Sequence, residues 1–552
     1  HLEGYSTGSI DVDHTGNITA SDDGVDVVTQ GAVTVDVTGD IDSGNAAIKA
    51  HNTGSDAMTI THDGVIDAGG VGIDASTAGA ALVVTNTGNI DAVNDGISAT
   101  VAGAGSVTVS QTGTITSTAG KGLVANSSNG AVNVLASGTI EAESDALSAR
   151  SASSNVDVSQ TGNILSHNGT GISLVAPIGS ITLDGAGTID GAAYGVKLYS
   201  TGTGSDVNFT HDSGAITAHS GTAVDAFASR GNVNIENHSD VTGATNGIRA
   251  ETTGANTDAI ILQYGDVTAN TAGSGSYNAL YAQSDTANAT ITGSGTVLMQ
   301  GKGDAVVASI NSRDKLSSVT WDGNVTAIDG SAVNAFAAAG GINLDLTGDF
   351  TANSAVGSND VNTISALTYG GGDLVIAVDG DVSRGFTPGG TTGRAISAVS
   401  RGNSGITVNT TGQITSSGTG IYADSLGSRA ISVNHLGDIT AGYNDQSVTD
   451  ATADGVHVSA TSAQVDVTTQ GDITAAKDGI SISSLGSLSP LTVQHTGSIT
   501  SGRDGVHVST LGAKVGITTE GDITAVGTGI YAQATDNIDI TVDGGVVSGA
   551  NA

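Results

Sequence analysis

No cysteine occurs among the 552 residues, so no disulfide framework holds the fold, and the absence suits a chain that must cross membranes unfolded. Three prolines, Pro177, Pro388 and Pro490, are all that the chain contains. A backbone so free of proline keeps its N–H donors for sheet ladders. Basic residues are equally sparse: 16 Lys and Arg stand against 54 Asp and Glu, a formal charge of −38. That charge repels polyphosphates and anionic lipid while favouring cations, and it excludes nucleic acid as a partner. No apolar run approaches the ~18 residues of a membrane span, and no basic-then-apolar leader opens the chain. Neither a signal peptide nor direct membrane insertion of this segment is expected. Helical periodicity is missing as well.

What is present is a repeated phrase: a glycine, one polar residue, a buried aliphatic residue, then a threonine or an acid, as in Gly88-Asn89-Ile90-Asp91. Twenty-one such anchors run from Gly16 to Gly544, and 15 of the 20 spacings fall between 23 and 27 residues. Only Ser239 replaces the glycine. The residue two after the anchor is Ile, Val or Phe in every repeat, an unbroken column that marks coils burying their faces on one another. Length divided by a usual domain size would predict several domains; a repeat array predicts one continuous domain over residues 1–552.

Each repeat reads as three short strands. Gly16-Asn17-Ile18-Thr19-Ala20 supplies the first, with Ile18 and Ala20 facing in. A second aliphatic residue follows seven or eight positions later, at Val25, Ile97, Ile421, Ile480 or Val506, usually behind Asp-Gly, Asn-Gly or Thr-Gly. Those dipeptides are expected to supply positive φ at a corner. Val33-Thr34-Val35-Asp36-Val37 exemplifies the third strand. Three strands and three corners close a coil, which predicts an all-β, single-stranded parallel β-helix, a β-solenoid of about 21 rungs of about 25 residues. The usual handedness of parallel crossovers makes it right-handed. At about 4.8 Å per rung it would form a rod of about 100 Å. Longer spacings place loops near 270–285, 352–372, 384–394 and 441–453, expected on one side and suited to recognition. Residues 454–475 and 504–525 agree at 15 of 22 positions, so two rungs were duplicated together.

Because columns stack, chemistry is sought down a face. Asp42, Asp67 and Asp91 occupy the outward position three after the anchor on consecutive rungs, a possible cation ladder for Ca²⁺, or simply a solvated acidic stripe. Asp240 with Asp266, Asp349 with Asp381, and Asp438 with Asp472 pose the same choice. On many other rungs that column is threonine, which raises ice binding, but the partner position is mostly Asn, Asp, Ser or Thr, only Thr114-Ile115-Thr116 fits fully, and β-propensity explains the threonines as well. His14, His62, His435 and His495 each stand two before an anchor on non-neighbouring rungs, too far apart to share zinc, and are expected as exposed polar fillers, as are His457 and His507. Trp321, Tyr422 and Tyr531 are the candidate platforms for sugar rings. No catalytic set is read: a polysaccharide lyase or hydrolase would need acids grouped with bases or a carboxylate pair, and cations are scarce.

The phrases Thr-Gly-Ser-Ile-Thr at 496–500, Gly-Asp-Ile-Thr-Ala at 471–475 and 521–525, and Asp-Gly-Val-His-Val beginning at 454 and 504 resemble the passenger repeats of bacterial autotransporter adhesins. The resemblance covers nearly the whole chain and implies export, delivery by a C-terminal outer-membrane barrel, and a rod on the Gram-negative cell surface holding adhesive loops. It implies as partners a host or matrix protein, a glycan, or another copy. Passenger repeats share no site motif, so no functional residue carries over. Against this stands a second function, a polysaccharide-active β-helix enzyme, and a third, an ice-binding solenoid.

Overall fold

The computed structural model describes residues 1–273, 275–353, 361–385, 393–444, 447–448, 450–486, 489–512 and 514–550. Among them no helix occurs, and parallel strands form a β-solenoid of about 21 turns, about 25 residues apart. The chain divides into two compact units, His1–Gly265 and Asp266–Ala552.

In the first unit a coil consists of Ile18–Ala20, Val25–Thr29 and Val33–Thr38. Each strand pairs in parallel with its equivalent in the next coil: Ile18 with Ile41, Val25 with Ile48, Val33 with Met58. Side chains on a strand alternate between faces, so Val33, Val35 and Val37 go inside while Thr34, Asp36 and Thr38 meet water. The aliphatic column beginning at Ile18 is thereby sealed; Ile41, Ile66 and Ile90 are at most 1% exposed. Each such side chain contributes roughly 2–3 kcal/mol by leaving water, and the coils hold one another rather than a shared globular core.

The second unit repeats the plan from Val267–Ala269 onward, with one departure. Val306–Asp322 and Val333–Thr347 each run through the second and third strand positions without a break. There the corner itself pairs with its neighbour, and register shifts around Arg313 and Leu316 absorb the unequal lengths. Four longer connections all fall at one corner, between first and second strands: after Val267–Ala269, Phe350–Ala352, Val382–Arg384 and Ile439–Ala441. The last carries a small antiparallel hairpin, Tyr443–Asn444 with Ser447–Val448. Of the loops expected from spacing, residue 274, 354–360, 386–392, and 445, 446 and 449 lie outside the described residues.

Glycine serves two different needs. At an anchor such as Gly497, φ is +131° and a Cβ would strike the Gly471 carbonyl of the preceding coil. The corner glycines correct the sequence reading. Gly455, within Asp454-Gly455, is not among the positive-φ residues; a Cβ there would sit 2.5 Å from the Gly479 carbonyl oxygen and 2.6 Å from Ile473. Close approach of the next coil, not turn conformation, selects glycine at that corner.

The histidines require a second correction. The position two before the anchor faces the interior, and His62, His435 and His495 are buried rather than exposed, with His14 half-buried. They belong to polar ladders inside the coil. In the first unit Asn86 donates to Gln111 (2.9 Å) and Asn237 to Gln263 (2.7 Å). In the second, Thr410 bonds His435 Nδ1 (2.8 Å) and Thr469 bonds His495 Nδ1 (2.9 Å). Stacking gives each of these four pairs its hydrogen bond across one coil spacing. Burial pushes the His435 imidazole down to about 4 and lowers His495 as well.

Candidate functional site

Where the polar residue of the repeated phrase is Asn or Asp, it proves to be a cap. Asn17 Oδ1 accepts the N–H of Asp40 (3.0 Å), Asp40 accepts that of Val65 (2.9 Å), and Asn89 that of Thr114 (2.9 Å). In the second unit Asp349 accepts from Asp381 N–H (3.2 Å), Asp381 from Gln413 (2.7 Å), Asp438 from Asp472 (2.8 Å) and Asp472 from Ser498 (2.8 Å). The acidic pairs 349/381 and 438/472 therefore have a structural use, satisfying backbone donors that the ladder leaves open.

Asp42, Asp67 and Asp91 do stack in register on adjacent strands of the first unit, all exposed. Among the described residues no group of three or more His, Asp or Glu side chains is placed to hold a metal ion. Thr415, Thr440, Thr474, Thr500 and Thr524 form a continuous register column in the second unit. The flanking capping column there holds Gln413, Asp438, Asp472, Ser498 and Asp522, so a second threonine file is lacking.

Chemistry concentrates instead at the inserted corner of the second unit, in a cavity of about 420 Å³ lined in part by Asn362, Arg394, Thr419, Tyr422, Asp450, Asp454, His457 and Lys477. Three of the longer connections contribute: Asn362 from the first, Arg394 from the second, Asp450 and Asp454 from the third. The ends are tied together by Arg384, 1% exposed, whose guanidinium donates to the carbonyls of Val361 (2.7 Å) and Gly385 (2.7 Å). Arg394 N–H donates to Asn362 Oδ1 (3.1 Å), joining the two insertions again.

Tyr422 faces outward from its strand, as the alternation predicts, but it is not an open platform. The Arg394 guanidinium of the preceding coil lies 3.5 Å from its ring centroid, and His457 of the following coil stacks at 5.2 Å with planes 6° apart. Burial raises the Tyr422 hydroxyl above its usual range, with the nearby Asp424 adding to the effect. Trp321 is corrected outright: it is 1% exposed, inside the coil, its indole N–H donating to Gly295 O (3.1 Å). Tyr531 is the most accessible of the three, 38% exposed, stacked on His507 at 4.6 Å, with its hydroxyl donating to Gln533 (3.1 Å).

Below Tyr422 runs an element that the sequence reading missed, a file of buried corner carboxylates. Asp454, Asp478 and Asp504 are 2%, 0% and 8% exposed. Each caps the next coil: Asp454 accepts from Asp478 N–H (3.2 Å), Asp478 from Asp504 (3.1 Å), Asp504 from Thr528 (2.9 Å). Their remaining lone pairs take cations. Lys477 reaches Asp454 (3.0 Å) and Asp478 (3.6 Å), Arg503 forks onto Asp478, and His457 and His507 donate through Nδ1 to Asp454 (2.8 Å) and Asp504 (2.9 Å). Burial by itself would push the Asp454 carboxyl up; the His457 hydrogen bond and the Lys477 charge outweigh it, and the net shift is downward. Asp504 behaves likewise, through the Thr528 N–H, His507 and Arg503. A signal was available, since Asp-Gly-x-His recurs at 454 and 504 with Lys477 and Arg503 each one position before Asp478 and Asp504.

No family model, no curated protein and no solved structure matches this chain.

Proposed function

We propose that the chain is a surface scaffold of an extracellular, autotransporter-like kind whose second unit binds a saccharide at the Tyr422 cavity. One observation supports binding over other uses of that corner: the cavity is walled by hydroxyl-matching groups, Asn362, Thr419, Asp450 and Thr452, on a framework locked by Arg384 and by the Asp454–Lys477 pair. Binding sites need a few placed polar groups on a rigid support. Adhesion through such a site fits a β-solenoid, whose coils fix the loops that protrude from them.

The test is an array of glycans and matrix proteins probed with the whole chain, alongside Asp450→Ala. Selective retention on saccharides, reduced at least tenfold by the substitution, is expected. Retention on matrix proteins alone would overturn the saccharide reading.

A second reading, a polysaccharide-cleaving enzyme, is favoured by one feature, the Asp454–His457 pair at the cavity wall, where a carboxylate orients an imidazole as in general-base sites. Release of oligosaccharides from capsule, pectin or alginate, lost in His457→Gln, would select this reading over adhesion.

A further inference from the structure

We propose that the Tyr422 cavity recognises the carboxylate of an acidic saccharide, with the Arg394 guanidinium as the group that receives it; the inference rests on the saccharide reading above. Arg394 is unlike the other cations of its surroundings. Arg401, Lys477 and Arg503 each pair with an aspartate. Arg394 has no carboxylate partner among the described residues, and its one side-chain hydrogen bond there is a long one to Ser397 Oγ (3.4 Å). Its position is nonetheless fixed: the backbone is held by Asn362 and the planar head lies flat on Tyr422. A guanidinium stacked on a ring keeps its in-plane N–H groups free for a fork onto a carboxylate. The stack is itself stiffened from behind, because His457 on the far side of Tyr422 is anchored by Asp454. Tyr422 thus positions the arginine and does not itself present a face to a sugar.

The charge of the ligand follows from what else lines the cavity. Lys477 is already neutralised by Asp454 and Asp478. Asp450 accepts from the Thr452 N–H (2.8 Å) and hydroxyl (2.6 Å) through one oxygen, Oδ1. With Asp454 paired to Lys477 and His457, one guanidinium and the one wall carboxylate without a cation among the described residues, Asp450, suit a single negative charge. A dianionic phosphate would meet one fork for its two charges and the repelling Asp450 carboxylate. Saccharide hydroxyls, in contrast, are donors that Asp450 can accept and acceptors that Thr419 and Asn362 can serve. The cavity volume of about 420 Å³ leaves space for more than a bare carboxylate.

Two sources would carry this chemistry, a uronate chain and a sialylated end, and the experiment separates them. Calorimetric titration of the whole chain would use trigalacturonate and sialyllactose, each beside its methyl ester, with lactose and inorganic phosphate as further probes. We expect one acid to bind at least tenfold more tightly than its ester, and Arg394→Gln to remove that preference while Arg394→Lys, which keeps charge without the fork, retains part of it. An unchanged thermal transition in both variants separates the effect from misfolding. Equal affinity for acid and ester, or displacement by phosphate as strong as by the acid, would overturn the inference while leaving the saccharide reading standing. Failure of every saccharide, neutral and acidic, to bind would overturn both.

Discussion

Two of the acidic files among the described residues are built from the same residue at the same coil spacing, yet they are opposite in kind. Asp42, Asp67 and Asp91 in the first unit stand in water at the outward strand position, one above another, and no Lys, Arg or His pairs with them among the described residues. Asp454, Asp478 and Asp504 in the second unit are buried at the corner, each accepting a backbone N–H and each paired with Lys, Arg or His. The same spacing thus serves two different surroundings. What distinguishes the second file is that its partners stack with the same period: a cation immediately precedes Asp478 and Asp504, and an imidazole follows Asp454 and Asp504 by three. A buried carboxylate is tolerated only where such partners exist.

The largest separation between the two regions should come from acid. The folded His435 imidazole titrates at about 4, below its ordinary 6.5, so the unfolded chain takes up the proton first. Stability is therefore intact above about pH 6.5, falls as pH drops towards 4, and levels off below, a loss of about 3 kcal/mol from this residue. Lowered Asp454 and Asp504 add a further loss below their ordinary 3.8. Hydrogen exchange in Ile431–Leu436 reads the first window, with Ile115–Ser117 and Ile140–Ala142 of the first unit, whose coils hold no histidine, as the control. Equal acceleration in both regions at pH 5 would break the comparison.

A smaller but more local effect is expected from Asp478→Ala, which leaves the buried Asp504 N–H without its acceptor and Arg503 without its fork. Because Arg503 and Lys477 are partly exposed, the ion pairs weigh little, and we expect about 2 kcal/mol, mostly from the lost cap. Asp478→Asn, which keeps the acceptor, should recover more than half. Urea denaturation followed by exchange in Val506–Thr510 would show it. The smallest effect belongs to the exposed file: Asp67→Asn should stabilise by a few tenths of a kcal/mol at low ionic strength by relieving like charges on either side, and salt at 0.15 M should erase the gain. A loss of stability instead would mean that Asp67 has a favourable partner.

Most of the architecture was legible because the apolar column at two after the anchor recurs through Ile523 and period two governs the rest of each strand; in the last repeat the register slips by one, and Val547 rather than Val546 pairs with Ile523. The same alternation would have placed His435 inside, as it follows Ile431 and Val433 by even steps, and Trp321 inside after Val319. Histidine is commonly a surface residue and tryptophan a sugar platform, but at both positions the alternation of the strand decides. The corner carboxylates were harder. Asp-Gly reads as a turn, and nothing along one repeat says that the carboxylate reaches the N–H of the following coil. Arg394 was beyond reach, since its place over Tyr422 depends on how an insertion of unique sequence returns to the scaffold.

The Asx caps have a direction. In each unit the side-chain oxygen of an earlier coil serves the amide of a later one, as from Asn17 to Asp40 and from Asp438 to Asp472. A folding front advancing towards higher residue numbers thus meets acceptors already in position, whereas one advancing the other way presents naked amides to solvent until the next coil arrives. Wherever a coil carries Asn or Asp after its anchor, the two growing ends of such a structure are thus unlike.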